Sequence, residues 1–276
     1  MKLLYGKPVA EEILSRLKGD ISLCEQKPGL AVILVGDDSA SQIYVNLKEK
    51  TAKEIGMNFF RFDEPENISQ DEILKQIAKL NADDDIDGII VQLPLPEGFD
   101  TQKIIESIDP KKDADGFHPV NMELFLSSDG GVTPVFPRAI MQLIKSSGEK
   151  LEHKTGIVIA NSDEFGGIMC AMLSRENIAL QYILAENILS NLEKIKASDI
   201  VVSAVGSPGL LRGEMLKDGS IVIDGGIEKV GEKVFGDVDF ASTEALDGYI
   251  TPVPGGVGPV TIACLLENVY LAFKPK

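Results

Sequence analysis

A buried β-strand is predicted by the apolar run Leu30-Ala31-Val32-Ile33-Leu34-Val35-Gly36, which follows Pro28-Gly29. The run has no alternation of polar and apolar side chains, which is typical of strands covered on both faces in a parallel sheet. Asp37-Asp38-Ser39 comes next and offers N-cap side chains for a helix that extends to about Gly56. A strand that leads directly into a helix begins a βαβ unit.

The same alternation continues outward from this unit. We predict a helix over Val9 to Leu17, a strand over Met57 to Phe62, a helix over Gln70 to Leu80, and a buried strand over Gly88 to Leu93. Pro94 and Pro96 end the last strand, because proline donates no hydrogen bond to a sheet.

A second series of elements starts near Pro134. It predicts a helix to Ile144, strands over 156–160, 179–182, 200–204, 220–224 and 248–252, and an apolar final helix over Thr261 to Ala272. Parallel strands joined by crossover helices indicate a doubly wound, Rossmann-like sheet. The predicted fold class is therefore α/β.

The composition is that of an ordinary globular protein. The 276 residues are 44% hydrophobic and 25% charged, and the formal charge of −16 opposes nonspecific binding to nucleic acid, which needs cations to neutralise phosphates. The apolar runs are shorter than the roughly 20 residues that span a bilayer, and Gly6 and Pro8 interrupt any signal-peptide core. We therefore expect a cytoplasmic protein with neither a nucleic-acid nor a membrane partner.

The cysteines Cys24, Cys170 and Cys264 lie far apart in the sequence and show no metal-ligand spacing. Their number is odd, so intramolecular disulfides cannot pair all of them. We predict reduced thiols in apolar surroundings and expect no metal site.

Tyr44 and Lys48 lie four residues apart in a predicted helix, so their side chains share one face. A lysine whose pKa is lowered by burial can exchange a proton near neutral pH. Such pairs also occur on ordinary helix surfaces, and this pattern alone leaves that alternative open.

Gln92 closes a buried strand at its carboxyl end, where open α/β sheets bind ligands. The following segment Asp113-Ala114-Asp115-Gly116-Phe117-His118 offers carboxylates that can pair with an amino-pyrimidinone edge. An Asx-turn is the alternative for these acids. A locally satisfied or exposed imidazole is the alternative to a catalytic His118.

The segment from Thr251 to Pro259 links a predicted strand to the final helix and contains Gly255, Gly256 and Gly258. Glycine lets a backbone approach a flat ligand closely. An ordinary turn rich in glycine and proline is the alternative.

Four motifs taken together resemble the bifunctional methylenetetrahydrofolate dehydrogenase/cyclohydrolase family. They are Tyr44-Val45-Asn46-Leu47-Lys48, Val91-Gln92-Leu93-Pro94-Leu95-Pro96, Lys112-Asp113-Ala114-Asp115-Gly116 and the segment from Thr251 to Pro259. They occur in the family's order and spacing across almost the whole chain, so the set is far more specific than any one motif.

The resemblance implies a folate domain formed by residues 1–120 and 255–276, which the C-terminal helix completes, and a Rossmann-like dinucleotide domain formed by residues 121–254. It implies NADP-linked oxidation of 5,10-methylenetetrahydrofolate and hydrolysis of the methenyl product to 10-formyltetrahydrofolate. Tetrahydrofolate derivatives are the implied substrates, and a homodimer is the implied assembly.

The resemblance also assigns roles to residues. Lys48 is the implied proton-handling catalytic residue, with Tyr44 orienting the folate, Gln92 assisting Lys48 and Asp115 holding the pterin. The other implied substrate-binding residues are Leu93, Pro94, Pro254, Gly255 and Gly256. The implied cofactor-binding residues are Asn161, Ser162, Ala185, Gly206 and Ile227.

The sequence departs from the family in its dinucleotide half. Where the family reads Gly-Arg-Ser, this chain has Ala160-Asn161-Ser162 followed by Asp163 and Glu164, so the arginine that pairs with a 2′-phosphate is missing. Acidic residues at a helix N-terminus repel a phosphate and compete for its donors. Ala185 stands where a phosphate-binding hydroxyl is usual, and Ala139 replaces a glycine beside the implied nicotinamide pocket.

Three interpretations remain: a bifunctional enzyme, a cyclohydrolase with weak, absent or NAD-shifted dehydrogenase activity, and a non-catalytic folate-binding relative. A dehydrogenase of shikimate-like acids would explain the Rossmann pattern but not the loop that begins at Pro254. The joint presence of Lys48, Gln92 and Asp115 argues against a non-catalytic relative. We hypothesise that cyclohydrolase activity is retained and that Asn161 and Ala185 impair the use of NADP, with NAD or no dinucleotide as the alternatives.

Overall fold

The computed structural model describes residues 1–231 and 233–273 of the chain. The chain forms two compact units. The six-stranded unit comprises Met1–Ala10 and Phe136–Thr261, and the three-stranded unit comprises Glu11–Val135 and Ile262–Lys276. The last three residues of the predicted folate-domain segment 255–276 lie outside the described residues.

The secondary structure alternates between strands and helices, as predicted. In chain order the described α-helices are α1 (Gly6–Ser22), α2 (Ser39–Glu54), α3 (Gln70–Ala82), α4 (Thr101–Glu106), α5 (Pro119–Ser127), α6 (Val135–Ser146), α7 (Asp163–Ser174), α8 (Leu192–Ala197) and α9 (Val257–Ala272). The strands are β1 (Lys2–Leu3), β2 (Gly29–Val35), β3 (Asn58–Glu64), β4 (Gly88–Val91), β5 (Thr155–Ala160), β6 (Ala179–Leu184), β7 (Ile200–Ala204), β8 (Ile221–Asp224), β9 (Glu228–Val230), β10 (Lys233–Phe235) and β11 (Tyr249–Ile250). Short 3-10 helices cover Ala185–Asn187, Leu189–Asn191, Gly213–Met215 and Phe240–Thr243.

The three-stranded unit contains a parallel sheet in the order β3-β2-β4. β2 is central and buried along its whole length, which accounts for its unbroken apolar sequence. Ile33 of β2 pairs with Phe62 on one side and with Val91 on the other. An isolated parallel bridge between Ile89 and Asp113 extends the sheet beyond β4. The segment around Asp113 is thereby held alongside β4.

The six-stranded unit contains a sheet in the order β1-β11-β8-β7-β5-β6 with parallel pairing throughout. From β5 the chain continues to β6 on one side and then to β7 on the other. The direction of winding therefore reverses between β5 and β7, which is the switch point where doubly wound sheets bind ligands. This topology confirms the predicted Rossmann-like character of the sheet.

The bounds of the compact units differ from those of the predicted ligand-binding domains. Residues 1–10 belong to the six-stranded unit because Leu3 of β1 pairs with Ile250 of β11, and the Met1 amino group donates to the Leu246 carbonyl across 2.6 Å. The assignment of folate and dinucleotide binding to residue ranges stays a prediction.

The final helix α9 begins at Val257, before the predicted start at Thr261. Pro259 fits in its first turn because amides there have no partner within the helix. Within the three-stranded unit, the Asn268 side chain donates to the carbonyls of Ala114 (3.0 Å) and Thr133 (2.9 Å). The helix thus completes the N-terminal α/β unit, as predicted. Among the described residues, no helix is long and apolar enough to cross a bilayer.

Candidate functional site

One face of α2 carries the first group of candidate residues. Asp38 caps the helix by accepting a hydrogen bond from the Ser41 amide across 2.7 Å. Ser41, Tyr44 and Lys48 follow at spacings of three and four residues, which places them in one stripe. Tyr44 and Lys48 are each half-buried, and Ser41 is buried. The helix therefore presents a hydroxyl, a phenol and an ammonium along one line.

Lys48 contacts Gln92 at the carboxyl end of the three-stranded sheet. The Lys48 Nζ donates to the Gln92 Oε1 across 2.9 Å, and the Gln92 Nε2 donates to the Leu93 carbonyl across 2.6 Å. The backbone N–H of Gln92 donates to the Ile33 carbonyl, which fixes the Gln92 backbone beside β2. Gln92 thus orients the lysine with a neutral acceptor and keeps its own amide satisfied.

Asp113 and Asp115, in the segment after Lys112, have different surroundings. Asp113 is buried and accepts hydrogen bonds from the amides of Gly116 and His118 and from the Asn121 side chain, at 2.8–3.0 Å. Among the described residues, no group donates to the Asp115 carboxylate. Asp113 therefore organises the loop, and Asp115 has its acceptors available for a ligand.

His118 has a structural position in this loop. Its imidazole is buried, and its Nδ1 accepts a hydrogen bond from the Val120 amide across 3.1 Å at the start of α5. The ring therefore caps a helix.

Three side chains of this candidate site have shifted pKa values: Lys48, Asp115 and Tyr44. Burial lowers the pKa of Lys48, and the negative charge of Asp115 opposes that change. Burial raises the pKa of Asp115, while the positive charge of Lys48 acts in the opposite direction. Burial also raises the pKa of Tyr44, so its phenol stays neutral. The lysine is thus brought toward a pH range in which it can both accept and release a proton.

The other predicted substrate-binding residues lie in two loops. Leu93 and Pro94 follow β4, and the Leu93 side chain is exposed. Pro254, Gly255 and Gly256 lie between β11 and α9 in the six-stranded unit.

Glycine in this second loop is already required by local packing. A Cβ added to Gly256 would lie 2.7 Å from the Pro252 carbonyl oxygen, and Gly255 has a φ of +106°. The Gly255 carbonyl also accepts the amide of Gly6 across 2.8 Å. The two glycines are therefore explained by the loop's own conformation, whether or not a ligand lies against it.

The predicted cofactor residues share one edge of the six-stranded sheet. They follow the carboxyl ends of four neighbouring strands: Asn161 and Ser162 after β5, Ala185 after β6, Gly206 after β7 and Ile227 after β8. A Cβ added to Gly206 would lie 3.5 Å from the Ile227 carbonyl oxygen, and Gly206 has a φ of +80°. The structure thus brings these residues to the edge where a doubly wound sheet binds a dinucleotide.

Two side chains hold the loops at the switch point. The Asn161 Nδ2 donates to the Val205 carbonyl across 2.7 Å, which ties the end of β5 to the end of β7. Asp237 is fully buried and accepts from the Ser203 hydroxyl and from the amides of Val205, Gly206 and Ser207, at 2.6–2.8 Å. The conformation of the loop after β7 is therefore set by one carboxylate.

Asp224 lies beside Asp237, and its pKa is raised by burial. It accepts from the amides of Gly226, Asp237 and Val238 at 2.9–3.1 Å. Burial raises the pKa of Asp224 to about 6, against the opposing effect of the hydrogen bonds from Val238 and Asp237. The pair of acids closes the turn after β8.

The residues at the N-terminus of α7 fit a dinucleotide only in part. Ser162 is its N-cap and accepts from the Phe165 amide, so this helix N-terminus points out of the sheet edge beside β5. Gly166 lies against Tyr182, and a Cβ there would be 2.5 Å from the ring, so glycine is needed for α7 to pack on β6. The fold and helix end fit a dinucleotide, but Asp163 and Glu164 in the first turn do not fit an additional phosphate.

The fold and site define a two-domain α/β enzyme. One unit holds a parallel sheet with a dinucleotide-type switch point. The other holds a half-buried lysine that is hydrogen-bonded to a glutamine, with an aspartate whose charge acts on it. Family models for the tetrahydrofolate dehydrogenase/cyclohydrolase match both parts of the chain: the catalytic domain over residues 4–115 and the NAD(P)-binding domain over residues 134–276. The chain belongs to this family and is an enzyme of one-carbon folate interconversion with a nucleotide-binding domain.

Known proteins similar to this chain cover almost its full length. The bifunctional protein FolD of Nitratiruptor sp. is 41% identical over 282 residues, covering 100% of this chain and 99% of the relative. The crystal structure of bifunctional FolD from Campylobacter jejuni is 40% identical with a TM-score of 0.92, covering 99% of this chain and 98% of that one. The Trypanosoma brucei enzyme, complexed with NADP cofactor and an inhibitor, is 34% identical with a TM-score of 0.92, covering 98% and 96%.

Two residues of the candidate sites were not predicted from the sequence. The Ser41 hydroxyl is buried on the stripe with Tyr44 and Lys48, and it has no hydrogen-bond partner among the described residues. Ser41 precedes Lys48 by about two helical turns, and this spacing could have predicted that the two side chains share a face. Asp237 was not singled out, because its four donors come from β7 and the loop that follows it, far away in the sequence.

Proposed function

We propose that Lys48 is the proton-transfer residue of a methenyltetrahydrofolate cyclohydrolase. The observation that carries this proposal is the hydrogen bond from Lys48 to the neutral Gln92 side chain, beside the available carboxylate of Asp115. A neutral acceptor orients the ammonium without the charge that would raise its pKa. Tyr44, on the same helix face, supplies a ring that orients the folate.

The proposed hydration begins at the amidinium carbon of the methenyl substrate. Water adds its oxygen to that carbon while Lys48, in its neutral form, accepts the released proton. The bond from the carbon to N5 then breaks, N5 receives a proton, and the hydroxyl proton leaves as the formyl carbonyl forms. The net reaction consumes one water and releases one proton.

Asp115 is proposed to hold the pterin by accepting hydrogen bonds from its amino and ring N–H groups. Leu93 and Pro94, together with Pro254, Gly255 and Gly256, are proposed as the other substrate-binding residues.

The dinucleotide domain is proposed to serve the oxidation of 5,10-methylenetetrahydrofolate. A bound dinucleotide supplies the hydride acceptor for that step. Asn161, Ser162, Ala185, Gly206 and Ile227 are proposed to surround it, and Asp163 disfavours the 2′-phosphate of NADP. We therefore propose that NADP-linked oxidation is weaker than the cyclohydrolase reaction.

Purified protein assayed for both steps tests the proposal. We expect hydrolysis of the methenyl compound without any dinucleotide, and weak oxidation of the methylene compound with NADP. Absence of hydrolysis would contradict the cyclohydrolase assignment. Robust oxidation with a low KM for NADP would contradict the impaired use of that cofactor.

We propose a homodimer in the cytoplasm as the working state, by analogy with the family. Analytical ultracentrifugation tests the assembly, and a monomer at micromolar concentration would contradict it.

A further inference from the structure

Glu186 follows β6 at a position where dinucleotide-binding sheets often carry an acidic residue. Ala160 pairs with Leu184 at the ends of β5 and β6, so Ser162 and Glu186 each lie two residues beyond neighbouring strand ends. In Rossmann sheets, an acid after the second strand accepts hydrogen bonds from the adenine ribose, about 20 residues after the phosphate-binding turn. Glu186 occupies that position.

The Glu186 side chain is exposed, and it has no hydrogen-bond or ion-pair partner among the described residues. It lies in the short 3-10 helix Ala185–Asn187, which is anchored by the buried Ile188 and by Ala185 against the core. The carboxylate is therefore displayed from a fixed backbone and is open to a ligand.

The charges around this position disfavour a phosphate group. Asp163 and Glu164 lie in the first turn of α7, and the Asp163 carboxylate accepts a hydrogen bond from the Tyr182 hydroxyl across 3.1 Å, which positions it beside β6. Between Thr155 and Leu192 the sequence contains a single basic residue, Arg175. Arg175 is the C-cap of α7, at the end of the helix opposite Ser162. Residues 155–192 thus bring carboxylates to the ends of β5 and β6, and their single cation lies at the far end of α7.

We infer that Glu186 is the residue that selects an unphosphorylated dinucleotide, by accepting hydrogen bonds from the 2′- and 3′-hydroxyls of the adenine ribose. This inference rests on the proposed dinucleotide-binding function and specifies its ligand as NAD. A 2′-phosphate would meet Glu186 without a counterion, and two anions at hydrogen-bond distance repel each other. Asp163 adds repulsion of the same sign.

Calorimetric titration of the whole protein with NAD and with NADP tests the inference without relying on turnover. We expect tighter binding of NAD than of NADP. Glu186→Ala should weaken NAD binding by roughly tenfold to a hundredfold, the range for a lost charged hydrogen bond. Glu186→Gln should narrow the ratio of the two dissociation constants, because it removes the repulsion of the 2′-phosphate.

Glu152→Gln is the matched control, since Glu152 is an exposed acid just before β5, at the opposite edge of the sheet. It makes the same change in net charge and should leave both dissociation constants unchanged. The inference is overturned if the wild type binds NADP as tightly as NAD, if it binds neither, or if the Glu186 variants keep the wild-type ratio.

Cyclohydrolase turnover, measured without dinucleotide, distinguishes a failure of the Glu186 inference from a failure of the proposed function. The Glu152→Gln control should retain this turnover at the wild-type rate. A wild type that selects NAD but hydrolyses no methenyl compound would refute only the cyclohydrolase assignment, and active protein without NAD selectivity would refute only the role of Glu186.

Discussion

The Lys48 ammonium donates a hydrogen bond of 2.9 Å to the Gln92 side-chain oxygen, although the two residues are 44 positions apart in the chain. One residue comes from the third turn of α2 and the other from the end of β4. The contact exists because β2 and β4 are neighbours in a parallel sheet and α2 starts at the carboxyl edge of that sheet. This pair is the centre of the proposed chemistry, and the predictions below probe it first.

Replacing Lys48 with methionine keeps the length and apolar body of the side chain but removes the proton acceptor. We expect cyclohydrolase turnover to fall by at least about a hundredfold, which is the usual contribution of a positioned general base. Lys50→Met is the matched control, because Lys50 is exposed on the same helix in a loose ion pair with Glu54. Unchanged turnover in Lys48→Met would remove the assigned role.

The pKa of Lys48 should respond to Asp115. The Asp115 charge opposes the lowering of that pKa by burial, so Asp115→Asn should lower the pKa of Lys48 further. An NMR titration of the Lys48 side chain in the ligand-free protein measures this shift. Asp129→Asn, an exposed acid in the same unit, should have no effect. A rise of the Lys48 pKa in Asp115→Asn would contradict the proposed electrostatics.

The same pKa has a consequence for stability. Between the lowered pKa of folded Lys48 and its ordinary value of 10.5, the unfolded chain binds more protons at this lysine than the folded chain does. The lysine's contribution to the free energy of unfolding therefore rises with pH across that window. Lys48→Met should raise stability at neutral pH, and the gain should vanish above pH 10.5. Denaturant unfolding at several pH values measures this, and a loss of stability at neutral pH would contradict it.

The buried Ser41 hydroxyl should cost stability and contribute to ligand binding. Because the hydroxyl has no partner among the described residues, Ser41→Ala should leave the free energy of unfolding unchanged or raise it by up to about 1 kcal/mol. The KM for the folate substrate should rise in this variant, because the hydroxyl lies on the same helix stripe as Tyr44 and Lys48. Ser220→Ala removes another buried hydroxyl that has no partner among the described residues, just before β8, and should leave folate kinetics unchanged. Equal folate kinetics in both variants would assign Ser41 no role.

Asp237 should be a main source of stability in the six-stranded unit. Asp237→Asn keeps the shape but turns one acceptor oxygen into a donor that faces other donors, so the free energy of unfolding should fall by about 3 kcal/mol. Asp239→Asn alters a nearby acid that makes no capping hydrogen bond and should change stability by less than about 0.5 kcal/mol. Chemical denaturation compares the two, and equal losses would show that the buried hydrogen bonds are not the cause.

The sequence by itself determined the fold class and most of the candidate residues. The unbroken apolar run from Leu30 to Val35 predicted a covered strand, because its short length, its β-branched residues and the preceding Pro28-Gly29 favour a strand over a helix. The helical spacing of Tyr44 and Lys48 placed them on one face. These conclusions depend on local composition and residue spacing, which the sequence records directly.

The tertiary structure alone decided which polar groups are available. Asp113 and Asp115 look equivalent in the sequence, but the fold satisfies the first with three donors and leaves the second with none among the described residues. Asn161 is tied to the carbonyl of Val205 because β5 and β7 are neighbours, which no local pattern records. Hydrogen bonds between distant segments depend on strand order, and strand order is fixed only when the whole chain packs.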